Sequence, residues 1–222
     1  MRILLTGVSG LVGQGVLQEC LRDPAVTAVV ALGRRASGQS HPRFSELVCA
    51  DFSRLRAVEQ DLHPFDACLY CAGAPPLGTP EVEYRHVTLE LTTHVAQTLA
   101  RLNPGLKFLY VSGAHSDPAS RLMPLRVKGE TERALAALPL RTVMLRAGGI
   151  QPVDGVRSPH PAMAAMYALA GPFMGLGVRL LPQLMTNTGR VGRAMLALLQ
   201  QDDPPAVLEN ADINRLGEPQ VP

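Results

Sequence analysis

Aromatic residues and lysine are both scarce in this chain. Among 222 residues there is no tryptophan, with four tyrosines and five phenylalanines, so a core must come from aliphatic side chains. Lysine occurs only at Lys107 and Lys128, the other 19 of the 21 basic residues being arginine. Where arginine is the habit, a retained lysine marks a place for a compact, titratable ammonium. No basic run stands out and the net charge is only +2, which argues against nucleic acid or an acidic membrane surface as partner. No secretory leader is expected before the first strand-like run. Cysteines stand only at Cys20, Cys49, Cys68 and Cys71. Cys68 and Cys71 form a C-x-x-C, yet both sit in an apolar run with no second ligand pair. Buried thiols in a reducing cytoplasm, and no metal, are therefore expected.

Charge is missing altogether from Pro161 to Val178. Pro161, Pro172, Gly171, Gly175 and Gly177 interrupt that run, and it is at the short limit for a bilayer, so no membrane span is expected. What the chain does have is apolar content, 46% of its residues, spread along its whole length. That is enough for one large core. Residues 1–222 are expected to form a single domain, with 151–187 as a small substrate or lid lobe ahead of the last helix.

Short β-branched runs alternate with helical stretches. Strands are predicted at Met1 to Thr6, Val26 to Leu32, Glu46 to Ala50, Ala67 to Cys71, Leu106 to Val111 and Arg141 to Arg146. Helices are predicted over Leu11 to Leu21, from an N-cap at Thr79 to about Leu102, over Arg121 to Leu138, and over Thr188 to Gln200. After Asp202 only a proline-containing tail is expected. Alternation of this kind implies βαβ units, an α/β Rossmann-like fold with a doubly wound parallel sheet in three layers.

Between the first strand and first helix stands Thr6-Gly7-Val8-Ser9-Gly10-Leu11-Val12-Gly13, a G-x-x-G-x-x-G. Gly7 permits a tight turn, Gly10 lets backbone approach a diphosphate, and Gly13 lets helix and strand pack closely. Phosphate would sit on the free amides of Ser9 to Gly13 at the positive helix end. No Gly-Lys-Ser/Thr follows, which excludes a P-loop, and Leu11 stands where a nucleophile elbow needs glycine. The second strand should end near the adenosine ribose, where an NAD site usually places an acid. Here Gly33 is followed by Arg34 and Arg35, two guanidiniums suited to a 2′-phosphate, so NADP is favoured over NAD. Asp51 and Phe52 follow the third strand, placed to meet an adenine. Cys71, Ala72 and Gly73 follow the fourth, across the switch-point crevice, and their small size leaves room for a cofactor.

Together these residues, with Tyr110-Val111-Ser112 and Val127-Lys128-Gly129-Glu130, resemble the short-chain dehydrogenase/reductase superfamily in its atypical, epimerase/dehydratase-like branch. The resemblance covers about residues 1–200. It implies a nicotinamide dinucleotide and a substrate pocket built from the C-terminal third. It also implies a Tyr-x-x-x-Lys pair, whose phenol relays a proton while the lysine holds the nicotinamide ribose. Lys128 matches the lysine, but Pro124 stands in the tyrosine's place. Ser112 matches the first member of the family's serine pair, and Gly113 replaces the second. Arg146-Ala147-Gly148-Gly149 replaces the common Arg-Pro-Gly. A substitute acid is sought in His115, Asp117, Tyr84 or Tyr167. Two functions stay open: an NADP(H)-dependent oxidoreductase or epimerase acting on a small carbonyl or hydroxyl compound, and a non-catalytic NADP(H)-binding redox sensor or interaction module. The Met-rich stretch from Met163 to Met185 suits a substrate lining, a homodimer surface or simply core.

Overall fold

The computed structural model describes residues 1–76, 78–157 and 174–219. Seven parallel strands form one sheet: β1 (Arg2–Thr6), β2 (Ala28–Gly33), β3 (Phe44–Val48), β4 (Ala67–Tyr70), β5 (Lys107–Gly113), β6 (Arg141–Ala147) and, far along the chain, β9 (Val207–Glu209). Their spatial order is β3-β2-β1-β4-β5-β6-β9. The chain thus winds one way from β1 to β3 and the other from β4 onward, and the reversal opens a crevice between the carboxyl ends of β1 and β4.

Strand residues alternate between two cores, as a sheet covered on both faces requires. Ile3, Leu5, Val29, Ala31, Leu69, Val143 and Leu145 face one core, closed by α1 (Leu11–Arg22) and α6 (Thr188–Leu199). Leu4, Val30, Leu32, Cys68, Phe108 and Met144 face the other, closed by α3 (Leu91–Leu102) and α4 (Met123–Ala136). The buried residues of the first core include no aromatic, whereas the second holds Phe52, Phe65, Tyr70, Phe108 and Tyr110, with the rings of Tyr70 and Phe108 stacked at 5.6 Å. The strands and the first, third and fourth long helices fall where the hydrophobic periodicity put them.

Four differences separate the structure from the sequence pattern. The stretch from Thr79 to Leu102 is not one helix. It is α2 (Glu81–Arg85), a π-turn over His86–Glu90, and then α3. Thr79 does not cap it, because Pro80 is the N-cap and its carbonyl takes the amide of Tyr84 at 2.9 Å. The π-turn leaves the Thr88 carbonyl to accept from Thr131 Oγ1 of α4 at 3.3 Å, an interaction no local pattern encodes. After β3, residues Phe52–Asp61 wind as a 3-10 segment capped by Asp51. The segment after Asp202 is more than a tail. It contains β9, which pairs with β6, and α7 (Asn210–Leu216), whose Ile213 enters the first core. Finally β7 (Gly149–Gln151) and β8 (Met185–Asn187) form a separate two-stranded parallel sheet, preceded by helical residues 174–180 (α5).

Lys107 explains one of the two retained lysines. Its ammonium donates to Leu199 O at 2.8 Å and Gln201 O at 2.6 Å, closing the carboxyl end of α6. A compact cation between converging carbonyls complements the helix dipole there. Among the described residues no helix is long and apolar enough to cross a membrane. The greater part of the uncharged run, and with it Tyr167 and Met163, lies outside the described residues.

Candidate functional site

At the crevice the glycine turn has the form the spacing implied. Gly7 adopts φ +73°, and a Cβ there would stand 2.6 Å from the carbonyl of Cys71, so β1 can turn only against the bare end of β4. Gly10 donates to Gly7 O at 2.8 Å, and a side chain on Gly13 would collide with that same carbonyl. Thr6 Oγ1 accepts from the amides of Cys71 and Ala72, both at 3.2 Å, tying the two strand ends together. The N-cap of α1, Gly10, supplies no side-chain acceptor, and the first helical bond is that of Gln14 to Gly10 O at 3.0 Å. The amides of Leu11, Val12 and Gly13 are therefore left for an external acceptor at the positive end of the helix. Ser9 is exposed above them, and beyond Ala72 a Cβ on Gly73 would meet nothing within 4 Å.

Around this turn the remaining cofactor candidates take up different duties. Arg34 and Arg35 are exposed at the end of β2 and form no ion pair among the described residues. On the neighbouring strand Glu46 accepts from Ser37 N at 2.7 Å, two residues beyond Arg35. Asp51 accepts from the Ser53 hydroxyl at 2.7 Å and amide at 2.9 Å, and these bonds hold its carboxyl below the ordinary range. The Phe52 ring is buried in the second core. Cys68 is fully buried and Cys71 partly so. Burial pushes both thiols well above the usual range, and all four cysteines are free.

The chemistry-bearing residues gather at the end of β5 beneath α4. Lys128 lies across Gly113: a Cβ on Gly113 would stand 3.3 Å from its Cδ. Its ammonium is 3.5 Å from Val111 O, a loose contact, and burial lowers its pKa to about 8 against the opposing pull of Glu132. Pro124 occupies the first turn of α4, where its missing amide costs nothing, and it has no proton to give. Ser112 is buried and its hydroxyl donates to Glu132 Oε1 at 2.5 Å, with Ser116 Oγ at 3.1 Å. Glu132 in turn takes three contacts from Arg146, the shortest 2.7 Å, and Arg146 reaches Glu209 at 3.0 Å. The proton of Ser112 is thus held by a buried carboxylate. His115 is exposed in the turn after β5 at φ +61°. Tyr84 is fully buried, and its hydroxyl meets no hydrogen-bond partner among the described residues. Among those residues no group of side chains could hold a metal ion.

Glu132 escaped the sequence reading. The usable signal was its spacing: four residues after Lys128 on a helix, it shares that lysine's face. Gln14 was missed as well. Its side-chain amide bonds Ser9 O at 3.2 Å and Arg157 O at 3.0 Å, and nothing local announces a partner so distant in sequence.

A parallel sheet reversing at a glycine turn, with an uncapped helix aimed at the crevice, defines a Rossmann-like dinucleotide-binding fold. The chain belongs to the NAD dependent epimerase/dehydratase family, whose model matches residues 3–133. Among curated proteins it is similar to protein fmp52, mitochondrial, of Emericella nidulans, at 27% identity over 175 residues, 75% of this chain and 74% of that one. It is similar also to FMP52, mitochondrial, of Coccidioides immitis, at 27% identity over 96% of this chain and 95% of that one. Among solved structures, MoeE5 in complex with UDP-glucuronic acid and NAD superposes with a TM-score of 0.71 at 19% identity, covering 94% of this chain and 75% of the other. The UDP-glucuronic acid 4-epimerase of Bacillus cereus in complex with NAD gives 0.66 at 17% identity, covering 94% and 76%. The expectation of a cytoplasmic protein does not stand: each of these curated relatives is named as mitochondrial. Free thiols ask only for a reducing compartment, and the cytoplasm is not the only one.

Proposed function

We propose that this protein binds NADP(H) and reduces a small carbonyl compound, or runs the reverse oxidation. The observation that carries the reading is the end of β2, where two exposed guanidiniums stand without an ion pair among the described residues and Glu46 of the neighbouring strand is engaged by Ser37 N. A 2′-phosphate would find two cations there. The amides of Leu11, Val12 and Gly13 would take the diphosphate, Ala72 and Gly73 would leave room beside it, and Asp51 would face the adenine. Lys128 would lie by the nicotinamide ribose. When bound, the cofactor would supply a hydride to the acceptor carbon, and the proton the carbonyl oxygen then takes up would come from the Lys128 ammonium, which solvent recharges. The protein's part is to present an ammonium at Lys128; the acceptor pocket expected from the 151–187 lobe falls in large part on residues 158–173, outside the described residues.

A second reading, binding without turnover, draws on two features: Pro124 in place of a proton donor, and a Ser112 proton already held by Glu132. Calorimetric titration tests the shared claim. Arg34→Ala with Arg35→Ala should weaken NADP+ roughly ten- to a hundredfold and leave NAD+ nearly unchanged, the range for losing charged hydrogen bonds. Equal losses for both nucleotides would remove the 2′-phosphate argument. NADPH oxidation across a panel of small aldehydes and ketones then separates the two readings, since a pure binder shows none.

A further inference from the structure

Following the strap of residues 152–157 leads to a cation at the glycine turn. From Ile3 to Leu21 the β1–α1 unit contains no basic residue, and its one charged side chain is the acid Glu19. A dinucleotide brings two negative charges to this unit, against roughly half an elementary charge offered by the helix end. The strap arrives from 143 residues away, is anchored first to the start of α6, and is then fastened along α1 at successive turns. Val153 donates its amide to Thr188 Oγ1 at 3.2 Å, Gln18 Nε2 donates to Asp154 O at 3.3 Å, and the Asp154 carboxylate pairs with Arg22 at 2.9 Å. Asp154 and Gly155, at φ +54° and +77°, then turn the chain along the helix toward its amino end.

The last fastening is the informative one. The side-chain amide of Gln14 donates to Arg157 O at 3.0 Å and accepts from Arg157 N at 3.4 Å, while also donating to Ser9 O at 3.2 Å. One side chain therefore holds the main chain of residue 157 beside the main chain of the turn that awaits the phosphates. Arg157 is exposed and forms no ion pair among the described residues. An arginine whose backbone is fixed at such a place has only its side chain left to order on gripping an anion, and its planar fork matches phosphate oxygens.

We propose that Arg157 pairs with the diphosphate of the bound dinucleotide, making the strap a working wall of the cofactor site. This rests on the dinucleotide reading above. The test compares two probes by calorimetry at fixed salt: NADP+, which carries the diphosphate, and adenosine 2′-monophosphate, which lacks it. Arg157→Ala should weaken NADP+ about tenfold or more and leave adenosine 2′-monophosphate unchanged, with Arg157→Lys recovering part of the loss. The melting temperature without ligand should stay put in both variants. A wild-type protein that binds neither NADP+ nor NAD+ overturns the dinucleotide reading itself, and one that binds NAD+ alone moves the Arg157 comparison to that nucleotide, which carries the same diphosphate. A wild type that binds, beside an Arg157→Ala variant that binds NADP+ equally well, overturns only the role of Arg157. An equal loss for both probes overturns it too, because it marks a disturbed loop rather than a lost phosphate contact.

Discussion

Removing the carboxylate of Glu132 attacks the point where α4, β5 and β6 are joined. The residue is only 8% exposed, and its two oxygens serve Ser112 at 2.5 Å and Arg146 at 2.7 to 3.2 Å. Truncation to alanine leaves the buried Ser112 hydroxyl with Ser116 as its remaining side-chain neighbour and strips Arg146 of its main partner. Breaking a buried ion pair by deleting one side costs about 3–5 kcal/mol. Arg146 keeps Glu209 at 3.0 Å and its side chain is 26% exposed, so part of its charge stays solvated. A cost of about 2–3 kcal/mol for Glu132→Ala follows after that discount. Glutamine preserves shape and still accepts from Ser112, so it should cost about 1 kcal/mol. For a domain of this size the alanine variant should melt about 4–10 °C lower. Urea unfolding followed by circular dichroism measures both, provided the slope with denaturant is unchanged. An alanine variant within about 0.5 kcal/mol of wild type would refute the network as a structural joint, being no more than an ordinary surface substitution costs. So would a cycle of Glu132→Gln with Arg146→Met showing no coupling.

Two further outcomes follow from polar groups drawn away from water, Lys128 half-buried and Tyr84 fully buried. Lys128 is lowered to about 8 by burial, whereas an unfolded chain would restore an ordinary lysine. Between those two values the unfolded state binds the extra proton, so wild-type stability rises with pH through that window and carries the full penalty below it. Lys128→Met should therefore raise the melting temperature at pH 7, with the gain shrinking toward pH 10; a variant that is less stable at pH 7 would show that the lysine contributes more by its contacts than it costs by burial. Tyr84→Phe removes a buried hydroxyl with no partner among the described residues. It should stabilise the fold by about 1 kcal/mol, the lower end of what an unsatisfied buried group costs. A loss of stability in chemical denaturation would reveal a partner, such as a bound water, for that hydroxyl.

Local pattern carried the central fold because its signals are local. The alternation of Ile3, Leu4 and Leu5 between two cores, and the glycines at positions 7, 10 and 13, each act within a few residues, and both appear where they were expected. β9 escaped notice because it is three residues long and only Leu208 is buried, so no period can be read from it. Its existence is a tertiary fact, fixed by pairing with β6 and by Arg146 reaching Glu209. The break between α2 and α3 escaped for a similar reason: a π-turn inside a helical pattern changes no residue's preference, and Thr131 from another helix receives the displaced carbonyl.

The same division runs through the site, and it bears on chemistry. The resemblance to the dehydrogenase superfamily singled out Lys128, Pro124, Ser112 and Gly113, and it described their departure from that pattern as a list of residues. It could not say where the Ser112 proton goes, because the acceptor, Glu132, lies 20 residues away, and the arginine that holds this carboxylate lies 14 further on. Nor could it say that the space left by Gly113 is where the stem of Lys128 lies, so that one substitution accommodates the other residue's position. A serine or threonine at 113 would press on that lysine. The missing second hydroxyl and the placement of the ammonium are therefore one structural arrangement, and restoring a tyrosine at 124 alone would put a phenol beside a lysine without supplying that second hydroxyl.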